Sequence, residues 1–104
     1  MGGQQRITIT FAKFGPMRFY SHLDLLRLFG RAARRADISV SLTQGFNPRP
    51  RIKIHRALKL GKESFSETAE FVLKEAMDCS EFQRRLQHQL PEGIEIRKVT
   101  ECKT

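Results

Sequence analysis

The spacing of apolar residues switches between the two-residue period of a strand and the three-to-four-residue period of a helix, and the order of those switches admits few architectures. Arg6 to Phe11 alternates strictly. Ile7, Ile9 and Phe11 share one side, and Thr8 and Thr10 the other, which predicts a half-buried strand interrupted by Gly15-Pro16. Ser21-His22-Leu23-Asp24 has the form of a capping box with Asp in place of Glu, and it opens a helix predicted from His22 to about Ala36. Leu25, Leu28, Phe29, Ala32 and Ala36 form its apolar stripe, while Arg27, Arg31, Arg34 and Arg35 lie mostly on another flank.

Ile38 to Leu42 reads as a short extended segment leading into a loop, Thr43 to Pro50, that Gly45, Pro48 and Pro50 punctuate. Arg51 to Leu58 and Thr68 to Lys74 are the next predicted strands, with Ile52 and Ile54, then Ala69, Phe71 and Leu73, facing inward. Ser80-Glu81-Phe82-Gln83 repeats the capping pattern, and Phe82, Leu86 and Leu90 carry a helix that Pro91-Glu92-Gly93 stops. Ile94 to Thr100 supplies the last strand. Strand, helix, strand, strand, helix, strand is the split βαβ plan of an α+β, ferredoxin-like domain: a four-stranded antiparallel sheet with two helices on one face.

A chain of 104 residues is the size of one domain, so residues 1–104 are taken as a single core, with Met1 to Gln5 expected to sit outside the fold. No apolar run approaches the ~20 residues that cross a bilayer, and no secretory signal opens the chain, so a cytoplasmic protein is expected. Cys79 and Cys102 form no CxxC pair, and with His22, His55 and His88 they offer no metal-ligand spacing. No metal is expected, and both thiols are expected to be reduced.

Charge divides the chain sharply. Before Glu63, thirteen Lys and Arg stand against Asp24 and Asp37; from Glu63 onward, six stand against nine acids, so the net +8 separates into +11 and −3. Between Gln44 and Lys62 there are six basic residues, Arg49, Arg51, Lys53, Arg56, Lys59 and Lys62, and no acid. Such one-sidedness costs self-repulsion unless an anion answers it, as a phosphate backbone does with counterion release. The competing reading pairs this surface with the acidic stretch Glu63 to Glu81 of the same chain.

Phe14-Gly15-Pro16-Met17-Arg18-Phe19-Tyr20-Ser21-His22-Leu23-Asp24, together with Gln44-Gly45-Phe46-Asn47-Pro48-Arg49-Pro50-Arg51, resembles the signature of the radical-SAM-linked protein family. That family is a bacterial domain of unknown function, fused to radical SAM proteins or encoded separately. The resemblance spans roughly Arg6 to Thr100 and implies an accessory role beside a radical SAM protein. With no CxxxCxxC motif in this chain, it also implies that the iron–sulfur cluster and S-adenosylmethionine belong to that partner. Members of the family continue past the length of this chain, which implies that a second half can complete a site.

The leading candidate surface is the loop from Gln44 to Arg51, where prolines limit the conformations lost on binding, Arg49 and Arg51 can meet phosphate, and Phe46 offers a ring on which a base can stack. Phe46 could equally plug the core. Arg51, Lys53 and His55 alternate with Ile52 and Ile54, so they should share the sheet face that the helices leave open, together with Thr8 and Thr10. Arg27 and Arg31 on the first helix extend the set. All of these basic side chains are expected to converge on one continuous patch that binds RNA or ribonucleoprotein. Two other readings stay open: a metal-independent ribonuclease with His22 as general base beside Asp24, and a docking module for an acidic protein. Binding is favoured over catalysis, because nothing in the sequence aligns a second acid with His22.

Overall fold

Gln5 to Lys13 form the first strand, β1, whose odd-numbered side chains Ile7, Ile9 and Phe11 are fully buried, as their alternation requires. In the computed structural model, which describes residues 4–55 and 61–103, β1 lies inside the sheet. The remaining elements are α1 (His22–Arg35), β2 (Ile52–Ile54), β3 (Ser64–Leu73), α2 (Cys79–His88) and β4 (Ile94–Lys103), in the strand order β2-β3-β1-β4. Each neighbouring pair is antiparallel. β3 therefore lies between β1 and β2, and β1 between β3 and β4, which is the order of a ferredoxin-like sheet.

Both helices cover the same face. Phe29 of α1 meets Phe71 of β3 edge to face with centroids 5.5 Å apart, and Phe82 of α2 meets the same Phe71 at 5.2 Å. Phe11 completes the chain of rings against Phe29 at 5.2 Å. Edge-to-face pairs add about 0.5–1.5 kcal/mol each beyond area burial, and truncating one such ring to Ala costs about 3–5 kcal/mol. Leu25 and Leu86 fill the space beside them.

Ser21 caps α1 as its sequence predicts, accepting from the Asp24 backbone N–H at 3.1 Å. At the other end Ile38 donates to the Ala33 carbonyl and Asp37 to that of Arg34, a Schellman closure in which Asp37, at φ 60, takes the left-handed position usually given to Gly. Leu28 is half-buried, whereas Ala33 joins the buried stripe in its place.

Several boundaries differ from the sequence pattern. Gln5 belongs to the fold: its amide is buried and bonds the Met77 carbonyl and backbone N–H at 3.0 and 2.9 Å. Gly15–Phe19 is a short 3-10 helix that the sequence reading missed, entered through Pro16. β3 begins at Ser64, because alternation continues there with the polar Glu67, not an apolar residue, on the inward side. α2 is capped by Asp78, which accepts from the Glu81 N–H at 3.1 Å, two positions before the Ser80 of the predicted capping box. β2 is described only over Ile52–Ile54; Arg56 to Leu58 of the predicted strand lie outside the described residues.

The expectation of reduced thiols also changes. Cys79 opens α2 and Cys102 lies near the end of β4, and the two are joined by a disulfide across Cα atoms 6.3 Å apart. The crossover that lays α2 back along β4 creates this neighbourhood, and a separation of 23 residues does not announce it.

One end of the core is polar. Lys13 turns inward without exposed surface and donates to the Tyr20 carbonyl at 2.6 Å; burial lowers its pKa, and the neighbouring Glu67 carboxylate opposes that shift. Ser64 donates its hydroxyl to Glu67. Gly93, at φ 103, lets the turn before β4 press on the 3-10 helix, since a Cβ there would come within 2.6 Å of the Met17 Cγ and 2.7 Å of the Phe14 carbonyl.

Candidate nucleic-acid interface

Leu42 and Pro50 pair as an antiparallel bridge, Thr43 donates to the Arg49 carbonyl at 2.8 Å, and the Arg49 N–H donates to the Thr43 hydroxyl at 3.0 Å. These bonds close residues 43–49 into a projecting loop. Gly45, at φ 128, supplies a backbone conformation that L side chains rarely adopt. Phe46 is fully exposed near the tip, which excludes the alternative that it plugs the core.

The loop's base packs beside α1 at Gly30, where an added Cβ would stand 3.4 Å from the Pro50 ring. Between helix and loop runs a groove of ≈ 600 Å³. Leu23, Leu26, Pro50 and Ile52 supply its apolar lining, and Arg27, Arg31, Arg34 and Arg49 its charge. Positions 27, 31 and 34 share a helix side by their four-and-three spacing, so one face of α1 presents three guanidinium groups toward a fourth from the loop.

Among the described residues no carboxylate lines this groove. Among the described residues, none of the four arginines makes an ion pair. Several carboxylates act elsewhere: Glu81 pairs with Arg84 and Arg85, Asp37 with Arg85 at 3.9 Å, Glu95 with Arg97 at 2.9 Å, and Glu63 accepts from the Gly15 N–H. Beyond Arg34 a neighbouring depression of ≈ 410 Å³ does contain Asp37 and Glu75, so the unbalanced charge lies toward Arg27, Arg31 and Arg49.

Lys53 and His55 lie elsewhere. Lys53 stands directly opposite Glu70 in the β2–β3 register, and Glu70 stands opposite Thr8 in the next. Thr10 is opposite Thr68, whose carbonyl receives the His55 N–H at 3.0 Å. This is the open face of the sheet, as expected, but Glu70 sits in its middle and pairs with Arg6 at 3.4 Å. Arg51 is half-buried, and its guanidinium donates to the Gln4 side chain at 3.0 Å. The expected single patch is thus two surfaces on opposite sides of the sheet, because α1 and the groove occupy the face that Lys53 and His55 turn away from.

His22 and Asp24 are not brought together as an acid–base pair. They are two positions apart on α1, a spacing at which helical side chains do not face each other, and Asp24 is exposed. The His22 Nδ1 atom is buried without a hydrogen-bond partner among the described residues. Among those residues no group of three or more His, Cys, Asp and Glu could hold a metal ion, and no helix is long and apolar enough to cross a membrane.

The groove's apolar lining went unread in the sequence. Its available signal was Leu23 and Leu26, apolar positions off the buried stripe of α1 and adjacent to the arginines.

Fold and site together define a ferredoxin-like α+β domain with an arginine-lined groove between its first helix and a projecting loop. The chain belongs to the family described as an uncharacterized protein conserved in bacteria (DUF2344), whose model matches residues 6–104. Neither a curated protein nor a solved structure matches it.

Proposed function

We propose that this domain binds RNA or ribonucleoprotein through the groove between α1 and the loop at residues 43–49, and that it serves as a non-catalytic accessory domain beside a radical SAM protein. The radical SAM link rests on the resemblance of the Phe14–Asp24 and Gln44–Arg51 motifs. The RNA reading rests on one observation: Arg27, Arg31, Arg34 and Arg49, contributed by two separate elements, converge with no carboxylate among them. Guanidinium groups without a carboxylate partner, Arg27, Arg31 and Arg49 above all, suit phosphate, which accepts their forked donors and releases counterions when neutralised.

The test is a titration with bulk bacterial RNA at two salt concentrations. Binding that weakens steeply as salt rises, with a slope reduced in Arg27→Ala/Arg31→Ala/Arg49→Ala, supports the reading. Absent or salt-insensitive binding overturns it. An acidic protein is the competing ligand, and a pull-down complex retained after nuclease treatment would identify that ligand instead. Cleavage of labelled RNA in EDTA by wild type but not by His22→Ala would replace the accessory role with a catalytic one.

A further inference from the structure

Phosphate contact alone uses only the charged half of this site. Leu23 is exposed and lines the groove with Leu26, Pro50 and Ile52, and Phe46 is exposed on the loop whose two ends, Thr43 and Arg49, line it. We infer that the groove takes unpaired nucleotides, with the bases turned toward the apolar lining, one of them stacked on Phe46, and the sugar–phosphate strand held by Arg27, Arg31 and Arg49. This inference rests on the RNA reading and adds to it the state of the RNA.

A double helix cannot use the same features. Its base faces are hidden in the stack, the major groove of A-form RNA is deep and narrow, and its minor groove presents edges and hydroxyls instead of ring faces. A duplex would meet the arginines from outside and leave both Phe46 and the apolar lining unsatisfied. A single strand satisfies both at once. Arg27 and Arg31 are one helical turn apart, about 6 Å along α1, so they can serve successive phosphates of one strand while the intervening base points inward. The volume of ≈ 600 Å³ falls within the ~300–1,000 Å³ of small-ligand sites, which suits one or two nucleotides and is far too small for a duplex.

Phe46 is also placed for contact and not for folding. It is fully exposed, so its truncation removes no core packing. Base–aromatic stacking tolerates any sequence because every base has a π-face, and the site should therefore select unpaired over paired RNA more strongly than one base over another.

Fluorescence anisotropy with an end-labelled RNA of about twelve nucleotides, within the ~4–16 nucleotides typical of single-strand sites, tests this directly. The strand is used alone and annealed to its complement. Expected results are at least about tenfold tighter binding of the single strand, and a loss of about tenfold on Phe46→Ala for the single strand only. The salt slope should be unchanged in Phe46→Ala, since no charge is removed. Thermal melting of the variant verifies that it is folded. Equal affinity for both forms, or no effect of Phe46→Ala on salt-dependent binding, overturns the single-strand inference and leaves the RNA reading standing. No binding of either form overturns both.

Discussion

Arg49 and Arg51 are two residues apart, yet they enter different electrostatic surroundings. Arg49 lines a groove without carboxylates, whereas Arg51 leads into β2, where Lys53 faces Glu70 and Arg6 is paired with the same acid. Both surfaces are basic by count. They differ in whether the domain's own acids reach them: the β2–β3 pairing places Glu70 in the centre of the open sheet face, while α1 and the projecting loop present arginines to one another. Local pairing, not total charge, therefore determines which surface retains an unmet demand for an anion.

The largest expected effect tests the groove. Arg27→Ala/Arg31→Ala/Arg49→Ala should weaken single-stranded RNA binding about 10- to 100-fold near 0.1 M salt and flatten the log–log salt slope by about 2, measured by anisotropy across a salt series. Retained affinity would move the interface off the groove. The second test attempts to erase the contrast: Glu70→Lys removes the acid from the open sheet face and should strengthen non-specific RNA binding about three- to tenfold, with a steeper slope. An unchanged affinity would show that this face is remote from the bound strand.

A smaller effect concerns the neighbouring depression beyond Arg34. Asp37→Gly relieves a left-handed backbone position and should raise stability by up to about 1 kcal/mol in chemical denaturation, because the surface pair with Arg85 at 3.9 Å contributes little. A destabilised variant would assign that pair a larger share. The smallest effect should come from Lys53→Ala/His55→Ala, where RNA affinity is expected to change by less than about threefold at moderate salt. A loss as large as that of the arginine triple variant would remove the distinction between the two surfaces.

Much of the architecture was readable from local chemistry. Ile7, Ile9 and Phe11 announced β1 through their alternation, and Ser21 and Asp24 announced the start of α1 through the demand of its first backbone N–H groups. The same logic failed where a nearby residue served equally well: Asp78 caps α2 in place of Ser80 because both precede an acid or amide by three positions. The sequence pattern shortens β3 because Glu67 occupies an inward position, a polar interruption that neighbours such as Ser64 and Lys13 help to accommodate. The candidate residues Phe46 and Arg49 were identifiable by type and by their position in an acid-free segment, and Arg27 and Arg31 by their helical spacing. Their division from Lys53 and His55 was not, since it depends on which side of the sheet each side chain leaves.

Periodicity, caps and turn residues are properties of neighbours along the chain, and for that reason the linear order of residues was enough to specify the split βαβ plan and to locate the excess positive charge before position 63. Distances between elements remote in sequence are set by packing. The opposition of Arg49 to the arginines of α1, the intrusion of Glu70 among the cations of the open face and the meeting of Cys79 with Cys102 all arise from how helices and strands stack around one core.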